Sequence, residues 1–343
     1  TALKEIRMSF TPEKLHGYLS TVIKAKIMTA VMIWGPPGIG KSSIVAEVAQ
    51  ASDLSFIDLR LSQLAPTDLR GLPVPEDGTA RWYPPEFLPR KGKGILFLDE
   101  LNMALPAIQG IAQQLILDRK VGAYTLPEGW FIWAAGNRKE DRASVFDMPA
   151  PLANRFLHVE VVPDFDSFKK YALVAGVHEH ILAFLSFRTA LLHKQDNLRP
   201  AWPSPRSWMM ANGLHKAGVD IESAVGDPTA GEFNAFLKVY ESITFVDRIL
   251  AGGGGAYGFP EEPSIKYALT TGLALRPSST QEAVNAFRWM VDKAPAEWTT
   301  LMVITLAGHM RATGQFALFA AAFTKEPKIM EFFNERQRIE SGV

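Results

Sequence analysis

Residues 30–42 read AVMIWGPPGIGKS: an apolar pentad, a glycine-rich loop, then a lysine and a serine. The pentad has the length of a buried strand, and a helix-length amphipathic stretch follows at 41–51. Between them, GPPGIGKS at 35–42 matches G-x-x-x-x-G-K-S/T in the setting that motif requires, with a strand before it and a helix after it. Glycines let the backbone curl so that successive N–H groups point inward, and the helix start adds its positive end. Gly35, Pro36, Pro37, Gly38, Ile39, Gly40, Lys41, Ser42 and Ser43 are therefore expected to cradle a polyphosphate. In that cradle Lys41 brings a point charge to the β- and γ-phosphates, and Ser42 offers a hydroxyl to Mg²⁺.

Working outward, further short apolar runs occur at 54–59 (LSFIDL), 94–99 (GILFLD), 130–136 (WFIWAAG) and 156–162 (FLHVEVV). Apolar runs alternating with helix-length stretches predict an α/β fold with a five-stranded parallel sheet and crossover helices. The proline- and glycine-rich stretch between Leu64 and Gly94 accommodates no long helix or strand and reads as an insertion. From Asp164 onward helical periodicity takes over, with candidate helices near 165–175, 178–193, 205–217, 232–250, 280–293, 296–312 and 326–339. Gly252–Gly255 is a four-glycine run, read as a flexible break. The expected organisation is a nucleotide-binding core over 1–163 with inserts near 65–93 and 119–131, a helical lid over 164–251 and a helical extension over 256–343.

ILFLDEL at 95–101 places two carboxylates at the carboxyl end of a buried strand, where ligands bind in open α/β sheets. Asp99 stands 99 − 41 = 58 residues after the lysine and is placed to hold Mg²⁺. Glu100, one residue past the strand, is placed to orient and deprotonate a water. No N-K-x-D string that reads guanine is present, so ATP is the expected nucleotide.

The composition of the 343 residues excludes several classes. Without cysteine there is neither a disulfide framework nor a thiolate metal site or nucleophile. Thirty-six basic and 36 acidic side chains cancel, so no global field draws nucleic acid or an anionic membrane. No apolar run approaches the ~20 residues of a membrane span. The opening TALKEIRMSF lacks the basic-then-apolar layout of a secretory signal, and a cytoplasmic location is expected.

Three further signatures follow in order: WAAGN ending at Asn137, PLANRF containing Arg155, and SPRSW containing Arg206. With the phosphate loop and the DE pair, as Walker A and Walker B, they resemble the AAA+ ATPases. That resemblance implies that Asn137 is sensor 1 and positions the attacking water. It implies that Arg155 is an arginine finger serving a neighbouring protomer, and that Arg206 is a lid arginine contacting the γ-phosphate. More finely, TDLRGLPVPEDGTARWYPPEFLP resembles the helix-2 insert of the MoxR branch, which is related to McrB and midasin. KVGAYTLPEGWFIWAAGN resembles its hairpin before sensor 1, with PEG as the turn, and SPRSW resembles its S-P-R. A homo-hexameric ring follows from the family, as does a remodelling or assembling role toward a protein client, with von Willebrand factor A-type domains among such partners. A DNA-directed motor or McrB-like restriction NTPase is the alternative.

Arg155 has a local reading as well, an ion pair with Glu160 or Asp164 of its own domain. Trp82, Tyr83 and Tyr124 are candidates either for contact with a client or for plugs that hold the inserts to the core. Trp202, Trp208, Met209, Met210 and the stripe AFRWMV at 286–291 read as packing. Of seven histidines, His178 and His180 stand at i and i+2 and should diverge on a helix, so no metal site beyond Mg²⁺ is expected.

Overall fold

The computed structural model describes residues 8–141 and 145–341. The chain divides into two compact units, Thr1–Asp164 and Phe165–Val343.

In the first unit, strands and helices alternate from β1 (Met8–Phe10) through α1 (Pro12–Lys24), β2 (Ala30–Trp34), α2 (Lys41–Ala51) and β3 (Ser55–Arg60). There follow α3 (Pro66–Arg70), β4 (Leu72–Glu76), β5 (Thr79–Tyr83), β6 (Gly94–Asp99) and α4 (Pro106–Asp118). The unit closes with β7 (Lys120–Val121), β8 (Tyr124–Thr125), β9 (Trp130–Gly136), α5 (Ala150–Ala153) and β10 (Phe156–Val161). The main sheet runs β1-β10-β2-β9-β6-β3, and every pairing in it is parallel. It has six strands, one more than expected, because the three residues of β1 pair with β10 at an edge.

Both faces of this sheet are covered, which is why its inner strands read as continuous apolar runs. Val31 and Ile33 of β2 pack with Leu15, Leu19, Val45 and Val48 from α1 and α2. Met32, between them, packs on the opposite face with Leu96, Leu98, Ile108 and Leu115. Phe97 and Trp133 are fully buried, each contributing roughly 2–3 kcal/mol of apolar transfer. Thr11 caps α1, its hydroxyl accepting from the Lys14 N–H, and Pro12 takes the first helical position.

The inserted segment is more regular than its composition suggests. β4 and β5 form an antiparallel hairpin whose tight turn is Asp77-Gly78, with φ of 48° and 76°. Positive φ at both positions is the geometry that matches strand twist, and Asp-Gly supplies it. The second hairpin also differs from expectation. Its two-residue turn is Gly122-Ala123, not PEG, and Pro127–Gly129 forms the approach to β9, with Gly129 O accepting from the Gly94 N–H.

The second unit is helical among its described residues. Its helices are α6 (Phe165–Val174), α7 (Glu179–Phe187), α8 (Pro205–Lys216), α9 (Glu222–Val225), α10 (Asp227–Glu241) and α11 (Val246–Leu250). After them come α12 (Pro263–Leu275), α13 (Thr280–Lys293), α14 (Ala296–Ala312), α15 (Phe316–Phe323) and α16 (Pro327–Ser341). A single apolar core extends from Phe168 to Ile329, across the point where the sequence suggests a break between lid and extension. Gly254 explains the continuity. It is buried, its carbonyl accepts from Trp289 Nε1 at 2.9 Å, and a Cβ there would meet the indole at 2.6 Å. Of the residues read as packing, Trp208, Ala286, Phe287, Trp289 and Met290 are buried. Trp202, Met209, Arg288 and Val291 are half-buried, and Met210 is 56% exposed. No helix among the described residues is long and apolar enough to cross a membrane.

Candidate active site

The loop between β2 and α2 is shaped by two glycines in left-handed conformations, Gly38 at φ 79° and Gly40 at φ 91°. Gly40 is the N-cap of α2 and provides no side-chain cap, which leaves the first-turn amides of the helix to an external acceptor. The Lys41 side chain is buried and folds back over the loop. Its Nζ donates to Gly35 O at 2.9 Å, Pro36 O at 3.1 Å and Asn137 Oδ1 at 3.0 Å. An anion at the loop meets a fixed ammonium and a helix start, so the donor set fits a phosphate chain. Ser43, two residues after Lys41, is exposed on the first turn of α2.

Asp99 ends β6, and its Oδ2 accepts from Ser42 Oγ at 2.6 Å while its Oδ1 accepts from the Glu100 N–H at 2.8 Å. A hydroxyl and a carboxylate oxygen side by side suit a hard divalent cation such as Mg²⁺. Glu100 turns the chain sharply, at φ 57°. Its Oε2 accepts a hydrogen bond from Ser62, which follows β3 and which no motif marked. Asp58 on β3 adds a third acid. Burial raises its pKa, the neighbouring Asp99 raises it further, Arg60 opposes, and Glu100 adds a smaller push upward.

Asn102 was also missed by sequence reasoning. It is buried, donates from Nδ2 to Asn137 O at 2.8 Å and accepts the Asn137 N–H on Oδ1 at 3.2 Å. Gly136 makes room for it, since a Cβ there would lie 2.6 Å from Asn102 Oδ1. Asn137 is thereby held by its own backbone at the end of β9, directly beside the end of β2, where Trp34 pairs with Gly136. Its side chain reaches Lys41 with the oxygen and Met103 Sδ with the nitrogen, at 3.1 Å.

Arg155 lies between α5 and β10, exposed, and makes no ion pair among the described residues. Of the two carboxylates considered for it locally, Glu160 and Asp164, Glu160 is taken by Arg138, whose Nη1 donates to Glu160 Oε1 at 2.8 Å. Arg138 also grips Asp141 through Nε at 3.0 Å and Nη2 at 2.7 Å, and these bonds to Asp141 are the main reason its pKa is raised. His158 fixes the corner that carries Arg155. Trp34 Nε1 donates to its Nδ1 at 2.9 Å, so its Nε2–H donates to Ala153 O at 2.7 Å. The end of the phosphate-loop strand is thus wired to the segment two residues before Arg155. Residues 142–144, within the stretch expected to join Asn137 to Arg155, lie outside the described residues.

Arg206 belongs to the second unit. It is the second residue of α8, exposed, after Ser204 and Ser207 cap the helix start reciprocally. The aromatic candidates separate. Tyr124 is 6% exposed and its hydroxyl donates to Pro89 O at 2.5 Å, so it packs as a plug between the second hairpin and the core. Burial pushes its phenol up to about 12. Tyr83 is 50% exposed on the insert hairpin, beside the exposed Leu72 and Val74. Trp82 is half-buried, with the Arg70 guanidinium 5.9 Å from its ring. His178 and His180 do not diverge. Together with His215 they bring their ring nitrogens within 4.8 Å of one another.

Residues 30–156 match the family described as AAA domain (dynein-related subfamily). A midasin from Giardia intestinalis is 26% identical over 140 residues, which cover 38% of this chain and 3% of that protein. The chain therefore spans a small part of the curated relative it matches. Two RuvB mutant structures from Thermotoga maritima, each 15% identical, align over 79% and 72% of this chain and 84% and 80% of theirs, with TM-scores of 0.41 and 0.39. The stretch that holds the phosphate loop, Asp99, Glu100, Asn137 and Arg155 is thus similar to the AAA domain of the dynein-related subfamily.

Proposed function

We propose that this chain is an Mg²⁺-dependent ATPase that hydrolyses ATP between adjacent copies of itself. The observation that carries this reading is the convergence on one sheet end of Lys41, the Ser42–Asp99 pair at 2.6 Å and Asn137. Lys41 binds the β- and γ-phosphates together with the α2 amides, and Glu100 takes a proton from a water oriented by Asn137. Mg²⁺, held by Ser42 and Asp99, would neutralise charge on the phosphate oxygens. Arg206 is proposed to reach the γ-phosphate from the helical unit.

Lys41 covers one side of a γ-phosphoryl whose charge spreads over three oxygens. The exposed Arg155, without an ion pair among the described residues, supports a second cation delivered to a neighbour, in a head-to-tail ring for which six copies is the family expectation. The guanidinium pairs bidentately with phosphate oxygens, which an ammonium cannot do. Within the AAA class we infer the MoxR branch, on the insert hairpin at 72–83 and the second hairpin at 120–125, with a protein client that such a ring remodels, activates or assembles. A von Willebrand factor A-type domain is the client chemistry this reading favours.

Glu100→Gln tests the activity. Wild type should release phosphate from ATP only with Mg²⁺, and Glu100→Gln should keep nucleotide affinity while turnover falls by about 10²-fold or more. Absence of Mg²⁺-dependent release by wild type across a range of chain concentrations would overturn the reading.

A further inference from the structure

We propose that His178, His180 and His215 form a binding site for a divalent transition-metal ion of the zinc class, set in the helical unit. The three rings converge with centroids 4.3, 4.7 and 5.2 Å apart. His180 Nδ1 and His215 Nε2 are already 3.0 Å apart, and all three donor atoms lie within 4.8 Å. Two nitrogens on a tetrahedral zinc, each ~2.0–2.1 Å from the ion, stand about 3.3 Å from each other. Modest side-chain rotation reaches that spacing.

The backbone explains how i and i+2 histidines come to face one another. His178 is the N-cap of α7, with an extended backbone at φ −60° and ψ 140°, whereas His180 is inside the first turn. The chain turns between them, and the His178 N–H is pinned by Asn212 Oδ1 at 2.9 Å. His215 stands one turn further along α8 than Asn212, in its last turn. An ion here would tie the start of α7 to the end of α8.

The Tyr240 ring centroid is 4.6 Å from that of His180, and its hydroxyl lies against Glu179 and the Arg276 guanidinium. Two cations stand nearby, and both are engaged. Arg276 Nε donates to Glu179 Oε1 at 2.9 Å, and Lys216 Nζ donates to Gly176 O at 2.6 Å. Three imidazoles with no carboxylate ligand select zinc, cobalt, nickel or copper over Mg²⁺ or Ca²⁺. The chain has no cysteine, so no thiolate competes.

The test uses nucleotide-free, chelator-stripped full chain and two probes, Zn²⁺ for affinity and thermal shift and Co²⁺ for its visible absorption. Wild type should bind one Zn²⁺ with a rise in Tm, and Co²⁺ should show bands of imidazole coordination. His215→Gln and His180→Phe should each weaken binding at least about tenfold and abolish the Tm rise. His309→Gln, on α14, should change neither. Circular dichroism checks that each variant folds. His180→Phe keeps a ring against Tyr240, and His215→Gln lies at a helix end, so loss of fold in one leaves the other decisive. Wild type that binds no Zn²⁺, or binding unchanged in both folded variants, would overturn the site.

Discussion

Lys41 Nζ donates to Asn137 Oδ1 at 3.0 Å, joining residues 96 positions apart across the neighbouring ends of β2 and β9. An arriving phosphate competes with Asn137 for that ammonium and frees the amide to orient a water. Asn137→Ala should therefore bind ATP within about threefold of wild type but turn over about 10²-fold more slowly, the usual cost of losing one polar group at a reacting centre. Nucleotide titration and steady-state phosphate release separate the two. Equal losses in both would assign Asn137 to binding alone.

Arg138 occupies Glu160, and Arg155 is exposed and makes no ion pair among the described residues. Arg155→Ala should fold, bind ATP and lose about 10³-fold or more of its turnover, and Arg155→Lys should not restore it. Mixing Arg155→Ala with Glu100→Gln chains creates interfaces with an intact finger facing an intact glutamate. Turnover should reappear in the mixture, and verified mixed assemblies that stay inactive would place the arginine's role within its own chain.

Tyr124 anchors the second hairpin through one buried bond to Pro89 O. Tyr124→Phe removes that bond, leaves the ring and should cost about 1 kcal/mol in denaturant unfolding of the first unit. Basal turnover should be unchanged. A Tyr124→Phe chain as stable as wild type but selectively deaf to a client would restore the client-contact reading.

Lys169 is buried on α6, and its Nζ donates to Thr305 Oγ1 at 2.6 Å. Burial pushes its pKa down from 10.5 to about 8, with Asp166 opposing. The unfolded chain therefore binds more protons between about pH 8 and 10.5, and this group's contribution to stability rises with pH across that window. Below pH 8 the buried charge costs roughly 3 kcal/mol. Lys169→Met should raise stability at pH 7 by about 1–3 kcal/mol, with an advantage over wild type that shrinks toward pH 10.5. An advantage independent of pH would mean that packing, not charge, sets the effect.

Some elements were hidden for identifiable reasons. α12 is buried on so many sides, from Ser264 through Ala268–Ala274, that it shows no polar stripe for a 3.6-residue period to reveal. The insert hairpin was masked by Pro73 and Pro75, although Asp77-Gly78 carried the turn signal. Ser62, Asp58 and Asn102 sit in no motif, because what they touch belongs to other strands.

The sequence alone determined the phosphate loop, the acid pair, the alternating α/β order and the positions of Asn137 and Arg155. These depend on glycine conformations, apolar periodicity and strand ends, which neighbouring residues encode. Only the tertiary structure decided that Lys41 meets Asn137, that Glu160 serves Arg138 and not Arg155, and that three histidines converge. Each of those depends on which strands or helices lie side by side, and that follows from burying whole faces at once.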